Sequence, residues 1–171
     1  MILIEIFIDL CENYVLLVAM MSWIISQMTK FIINVAMTHE FSFERLTGDG
    51  GMPSGHSATV SSTMVMCGWI YGFDSVIFGL SFVLAIIVMH DAHSVRREAG
   101  KHAVVLKDLA DAFNRIISGD KDTAIYTDKL KKFIGHTPAQ VAVGCTLGIL
   151  IAFAFILVAG IGYGSGDSLF M

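Results

Sequence analysis

A glycine-rich segment immediately before an apolar stretch carries residue types that suit anion binding. It reads Gly48-Asp49-Gly50-Gly51-Met52-Pro53-Ser54-Gly55-His56-Ser57. Glycines allow positive φ and a close approach of the backbone to a ligand. A helix that begins near Ser54 would offer unpaired N–H groups and the positive end of its dipole to an anion, with His56 in its first turn. The alternative is an ordinary capped helix start, with His56 at the level of the lipid headgroups.

A second polar cluster follows a later apolar stretch and is rich in histidine and arginine. It runs from His90 to His102 and also contains Asp91, His93, Arg96, Arg97 and Lys101. Guanidinium groups bind phosphate oxygens bidentately, so two arginines that face a glycine-rich helix start favour a phosphate ligand. The alternative is a basic anchor for anionic lipid headgroups. His90 and His93, three residues apart with Asp91 between them, also have a spacing that a metal ion can use.

The composition places both motifs in a membrane protein. The chain has 171 residues, of which 55% are hydrophobic and 15% charged, where soluble domains carry about 25% charged residues. The net charge of −4 argues against a nucleic-acid partner. Apolar stretches cover residues 13–37, 57–73, 75–89 and 139–163. Because helices satisfy their own backbone inside lipid, we predict an all-α integral membrane protein, a single membrane domain over residues 1–171 with four transmembrane helices.

Two further segments are expected to lie at the membrane surface. Residues 1–12 are apolar apart from three acidic residues and lack the positive start of a signal peptide, which predicts an interfacial helix or an extension of the first span. The segment 90–137 is predicted to be cytoplasmic and to contain amphipathic helices, with a break at Ser118-Gly119-Asp120. These helices lie on the membrane surface or pack against the spans.

Charge predicts the orientation of the chain. All 11 Lys and Arg residues lie in, or near, the two segments reached after the first and third spans. The charged residues on the opposite side are all acidic: Glu5, Asp9, Glu12, Asp74 and Asp167. The positive-inside rule therefore places the basic segments in the cytoplasm and both termini outside. The expected location is multi-pass in a membrane, a bacterial cell membrane being favoured.

Pro53-Ser54-Gly55-His56 resembles the central motif of the type 2 phosphatidic acid phosphatase and vanadium haloperoxidase superfamily. The longer run from Gly50 to Ala58 is closer to a divergent branch of bacterial and plant membrane proteins. Further matches follow in the same order: Asp91-Ala92, Val95-Arg96-Arg97, Ala99-Gly100 and Gly135-His136-Thr137-Pro138. Lys30 falls where the branch has a lysine. The resemblance covers about residues 30–148.

The resemblance implies phosphohistidine chemistry that needs no metal or other cofactor. It assigns His56 as the general acid, and Lys30 and Arg96 as phosphate ligands, beside Ser54, Gly55 and Arg97. Arg96 and His102 have the spacing that the superfamily shows between an arginine and its nucleophilic histidine. Asp91 is then a partner that orients an arginine or a histidine.

Three departures from the superfamily pattern bear on the nucleophile. Leu106 stands where the superfamily has an aspartate, and no Arg-Pro pair follows Lys30. His136, which the branch shares, is a rival to His102 as nucleophile or an orienting partner; alternatively, it caps the fourth span at the membrane interface.

The leading functional prediction is a phosphatase that acts on a lipid phosphate or diphosphate at the cytoplasmic leaflet. The main alternative is a non-catalytic protein that binds phospholipid headgroups, or moves a lipid, through the same pocket. A third class is a structural subunit whose basic face binds a soluble partner. The expected partners are the lipid phosphate and anionic lipids, and four spans are compatible with a homo-oligomer.

Overall fold

The computed structural model describes residues 1–38, 51–116 and 137–166, and within these ranges the regular structure is helical. The described helices are α1 Ile2–Glu12, α2 Tyr14–Thr38, α3 Gly55–Tyr71, α4 Val76–His93, α5 Val95–Ile116 and α6 Pro138–Ala159. The all-α prediction is confirmed for these residues. The predicted break at Ser118-Gly119-Asp120 and the short helix after it lie outside them.

Three helices, α2, α4 and α6, are long and apolar enough to cross a membrane, with mean hydropathies of 1.6, 1.9 and 2.8. The second predicted span, residues 57–73, corresponds to α3, which has 17 residues and is rich in serine. Ten of its 17 residues are buried, whereas α4 buries three of its 18. Helix α3 is therefore the centre of the bundle, packed against α2, α4 and α6, and its crossing of the membrane stays a prediction.

The helices run in directions that bring four of their ends together. Helix α2 is antiparallel to α3, since Lys30 lies against Gly51 while Val18 shares the core with Met66. A turn at residues 72–75 reverses the chain, so α4 is also antiparallel to α3. Helix α6 is parallel to α3 and meets it at both ends. One end of the bundle thus contains the ends of α2 and α4 and the starts of α3 and α6.

The two outer helices pack differently. The backbone at Asn13 is extended, so α1 is a separate helix and not a continuation of α2, and none of its residues is buried. Helix α5 packs against α4 and contacts none of the other described helices. Five of its large apolar side chains lie exposed along its length: Val104, Val105, Leu106, Leu109 and Phe113. This exposed apolar face suits the surface position that the sequence predicts.

The interior of the bundle contains many polar side chains. Its buried polar side chains are Ser22, Ser26, Gln27, Lys30, Ser54, Ser57, Ser61, Ser62 and Ser81. Several serines donate to a carbonyl of their own helix, as Ser61 does to Ser57 at 2.7 Å and Ser62 to Thr59 at 2.9 Å. These local bonds satisfy the hydroxyl groups and leave small, paired side chains between the helices.

Helix α6 approaches α3 through residues with little or no side chain. Its buried residues are Gly144, Gly148, Ala152 and Ile156, spaced by four along one face. A β-carbon on Gly148 would overlap the carbonyl oxygen of Ala58 and the hydroxyl of Ser61. Ser61 Oγ also donates to the carbonyl of Cys145 at 3.1 Å. The two backbones are therefore in direct contact at this level.

We expect Gly148→Ala to destabilise the protein strongly, and Gly79→Ala to leave it as stable or more so. Overpacking costs about 1–3 kcal/mol, and the obstacle at Gly148 is backbone that cannot rotate away. A β-carbon at Gly79, inside α4, meets nothing within 4 Å and gains about 1 kcal/mol of helix propensity. The thermal unfolding midpoint in detergent measures both. Equal midpoints for the two variants would contradict the direct backbone contact.

Candidate functional site

The start of α3 has the geometry of an anion-binding helix terminus. Ser54 is fully buried and caps the helix: its Oγ accepts from Ser57 N at 3.3 Å and from Ser57 Oγ at 3.0 Å. The N–H groups of Gly55 and His56 belong to the first turn and have no acceptor within the helix. The predicted cap is confirmed, and it leaves two donors beside the half-buried side chain of His56.

Helix α6 fixes the position of this terminus. Ser54 N donates to the carbonyl of Gln140 at 3.1 Å. Gln140 lies in the first turn of α6, which a reciprocal pair of bonds with Thr137 closes: Thr137 N donates to Gln140 Oε1 at 2.9 Å, and Gln140 N to Thr137 Oγ1 at 3.4 Å. The backbone before α3 is thus held by a helix from the other end of the sequence.

Helix α2 brings a cation to the glycine-rich segment. Lys30 is only 5% exposed. Its Cγ and Cδ lie 3.2 and 3.3 Å from the place that a β-carbon on Gly51 would occupy, and Gly51 has a φ of +101°. Glycine at 51 is therefore needed both for the backbone conformation and for the room that the lysine stem takes. Lys30 therefore places a buried positive charge next to the segment that leads into α3.

The structure brings some predicted site residues together and leaves others apart. Lys30, Ser54, Gly55 and His56 lie at one end of the bundle, between α2 and α3. Asp91 is half-buried in the last turns of α4, at the same end. His102 is exposed on α5, a helix that does not contact α3.

Some predictions fall where the structure gives no side chain. Arg96 and Arg97 lie in the first turn of α5, and their side chains are outside the described part of the chain, as is the whole of His136. Among the residues that are described, no three His, Cys, Asp or Glu side chains are close enough to hold a metal ion. The described site is therefore built from a lysine, serine hydroxyls, backbone N–H groups and one imidazole.

Sequence reasoning missed the polar side chains that precede Lys30 on α2. Ser22, Ser26 and Gln27 are all buried. Ser26 Oγ and Gln27 Nε2 lie 3.2 and 3.4 Å from the position of a β-carbon on Gly55. A signal was present: the eight positions before Lys30 contain four polar residues in an otherwise apolar span, and two of these lie four and three residues before the lysine. Polar groups at such depth are costly and are expected to face the bundle interior.

Known proteins resemble this chain over most of its length. The chain is similar to the uncharacterized membrane protein YuiD of Bacillus subtilis (strain 168), with 35% identity over 148 residues that cover 84% of this chain and 94% of that protein. No solved structure matches the chain. A model of the divergent PAP2 family matches residues 11–151. The resemblance inferred from the motifs is confirmed, and since the match extends over most of its length, the chain belongs to the divergent PAP2 family.

Proposed function

We propose that this protein is a membrane phosphatase that hydrolyses a lipid phosphate or diphosphate at the cytoplasmic leaflet. One observation carries the proposal: a buried lysine packs against a glycine-rich segment that leads directly into a capped helix terminus. Fixed cations and preorganised N–H donors stabilise the charge on a transferring phosphoryl group. Membership of the divergent PAP2 family supports the same chemistry.

In the proposed reaction, Lys30 and the N–H groups of Gly55 and His56 bind the phosphoryl oxygens. An imidazole nitrogen, from His102 or His136, attacks phosphorus, and the bond from phosphorus to the ester oxygen breaks. The His56 imidazolium gives its proton to the departing alcohol. Water then attacks the phosphohistidine, which releases inorganic phosphate and regenerates the histidine. Arg96 and Arg97 are proposed as further phosphate ligands, and Asp91 as a group that orients one of these side chains.

A second candidate is a protein that binds or moves phospholipids without hydrolysing them. The position of His102 favours it, because an exposed residue on a helix without contact to α3 is poorly placed to attack a phosphate held at Ser54. The same cradle would then hold a headgroup as a ligand. The substrate or ligand in both cases is a lipid phosphate in a membrane that contains anionic lipids.

Phosphate release separates the two candidates. Purified protein in detergent is mixed with phosphatidate, lysophosphatidate or a polyprenyl diphosphate, in the presence of a chelator, and inorganic phosphate is measured. Release supports the phosphatase. Binding of vanadate, seen as a rise in the thermal unfolding midpoint, without turnover of any of these lipids supports the binding protein. Failure to bind vanadate and to release phosphate would contradict both.

The proposed topology places the site end of the bundle in the cytoplasm and both chain termini outside. In a background with its three cysteines replaced, Gly162→Cys and Lys101→Cys put a thiol at exposed positions beyond α6 and on α5. A membrane-impermeant thiol reagent applied to intact cells should label the Gly162→Cys variant and not the Lys101→Cys variant, because the basic segments lie inside. The reverse labelling pattern would show that the orientation is inverted.

A further inference from the structure

Helix α2 contains a buried acceptor without a donor. Gln27 is 7% exposed, and its Oε1 has no hydrogen-bond partner in the described part of the chain. Ser22 Oγ is also unpaired there. Buried amide oxygens are almost always paired, because leaving one unpaired forfeits the bond it would make in water. The serines of α3 follow this rule, since Ser57, Ser61 and Ser62 all make bonds.

The unpaired oxygen belongs to a side chain at the candidate site. Gln27 Nε2 lies 3.4 Å from the position of a β-carbon on Gly55, the first residue of α3. Lys30, one turn further along α2, packs against Gly51 in the segment before that helix. The amide of Gln27 is therefore close to the helix terminus whose N–H groups, with Lys30, form the proposed phosphate cradle.

The groups of this cradle need different hydrogen-bond partners in a ligand. The lysine ammonium and the helix N–H groups donate hydrogen bonds, and phosphate oxygens accept them. Gln27 Oε1 can only accept, and a fully ionised phosphate has no proton to give. A ligand that satisfies both therefore carries a donor near its phosphate, of the kind that a hydroxyl on the neighbouring carbon provides.

We propose, resting on the phosphate site proposed above, that Gln27 determines substrate specificity by accepting a hydrogen bond from a hydroxyl group next to the phosphate. The substrate class is then a hydroxyl-bearing, glycerol-type phosphate monoester. A polyprenyl phosphate lacks this donor, as does phosphatidate, whose neighbouring oxygen is esterified, and either would leave the buried amide oxygen unpaired. Discrimination of this kind is strong where a buried polar group would otherwise lose its partner.

Two probes that differ by one oxygen test the assignment: dodecyl phosphate and 2-hydroxydodecyl phosphate. Binding to the full-length protein in detergent is measured at pH 8, where a phosphate monoester is almost fully ionised because its second pKa is about 6. This removes the phosphate's own proton as an alternative donor. The wild type should bind the hydroxylated probe about tenfold more tightly, the usual scale for pairing one buried polar group. Gln27→Met should bind both probes equally, whereas Ser22→Ala, which removes the other unpaired oxygen, should keep the preference.

The ligand-free protein provides a second readout. Gln27→Met removes a buried amide oxygen that has no donor among the described residues and keeps a side chain of similar length, so it should raise the thermal unfolding midpoint, whereas loss of a purely structural hydrogen bond would lower it. Equal binding of both probes by the wild type, a preference that survives in Gln27→Met, or a lowered midpoint overturns the assignment of Gln27. Binding of neither probe by the wild type overturns the phosphate site itself, and this inference with it.

Discussion

Lys30→Met should lower the rate of phosphate release by at least about a hundredfold, since removing one preorganised group that stabilises transition-state charge costs ~10²–10³ in rate. Lys30 is nearly as buried as the core residues around it, so its charge acts with little screening from water. Methionine has a similar length and no charge, and it can follow the path of the lysine stem past Gly51. The variant should therefore fold, which its thermal unfolding midpoint checks.

Lys101→Met is the matched control for Lys30→Met. Lys101 is 58% exposed and pairs with the exposed Glu98 at 2.6 Å, one turn away on α5. Exposed pairs of this kind contribute at most about 1 kcal/mol to stability, and Lys101 lies outside the cradle. Release rates should thus be unchanged. Equal rates for the two lysine variants would show that burial of Lys30 has a structural and not a catalytic role.

His56→Ala should lower the rate of phosphate release at least as much as Lys30→Met does, because a positioned general acid contributes about 10²–10⁴ in rate. His56 is fixed by its place in the first turn of α3, whose cap and whose bond to Gln140 orient the backbone. A good leaving group needs little protonation. The His56→Ala variant should therefore lose less activity toward p-nitrophenyl phosphate than toward an alkyl phosphate. The exposed His90 offers a control, since His90→Gln should leave the rate unchanged.

Phosphohistidine trapping in His102→Gln and His136→Gln identifies the nucleophile. The six-residue interval from Arg96 predicts His102, in which case His102→Gln loses both turnover and the labelled enzyme. Its exposure on α5 argues for the rival, so full activity in His102→Gln with none in His136→Gln would move the assignment to His136. If both variants keep the full rate and no phosphoenzyme is trapped, histidine-based phosphoryl transfer is contradicted.

The sequence was a good guide to helix boundaries and a poor one to the arrangement of the helices. The break between the apolar stretches 57–73 and 75–89 falls within the turn that follows α3, and Ser54 caps α3 as its place before the apolar run suggests. Both are local effects of glycine and serine chemistry. Which helix is central was not predictable from hydropathy, because serines that bond to their own helix behave as small, nearly neutral side chains. The burial of α3 became evident only from its neighbours.

The candidate site also contains residues that motifs predict and residues that only the packing of the helices shows. Lys30 and Pro53-Ser54-Gly55-His56 were predicted from motifs, and the structure places them together. Gln27 belongs to no motif, and its importance follows only from a buried oxygen without a donor. Arg96 and His102 lie on one helix, but their interval along α5 says nothing of where that helix docks. Long-range packing decides that, and pattern analysis of a single chain does not capture it.

The bond between Ser54 and Gln140 has a consequence for biosynthesis. A ribosome makes α2, α3 and α4 well before it reaches α6, so the emerging chain inserts with the α6-facing side of its central helix still uncovered. The start of α3 is held in place only when α6 arrives and docks through Gly144 and Gly148. A chain that is truncated before α6 would therefore lack this bond, and the proposed phosphate cradle would not be preformed in it.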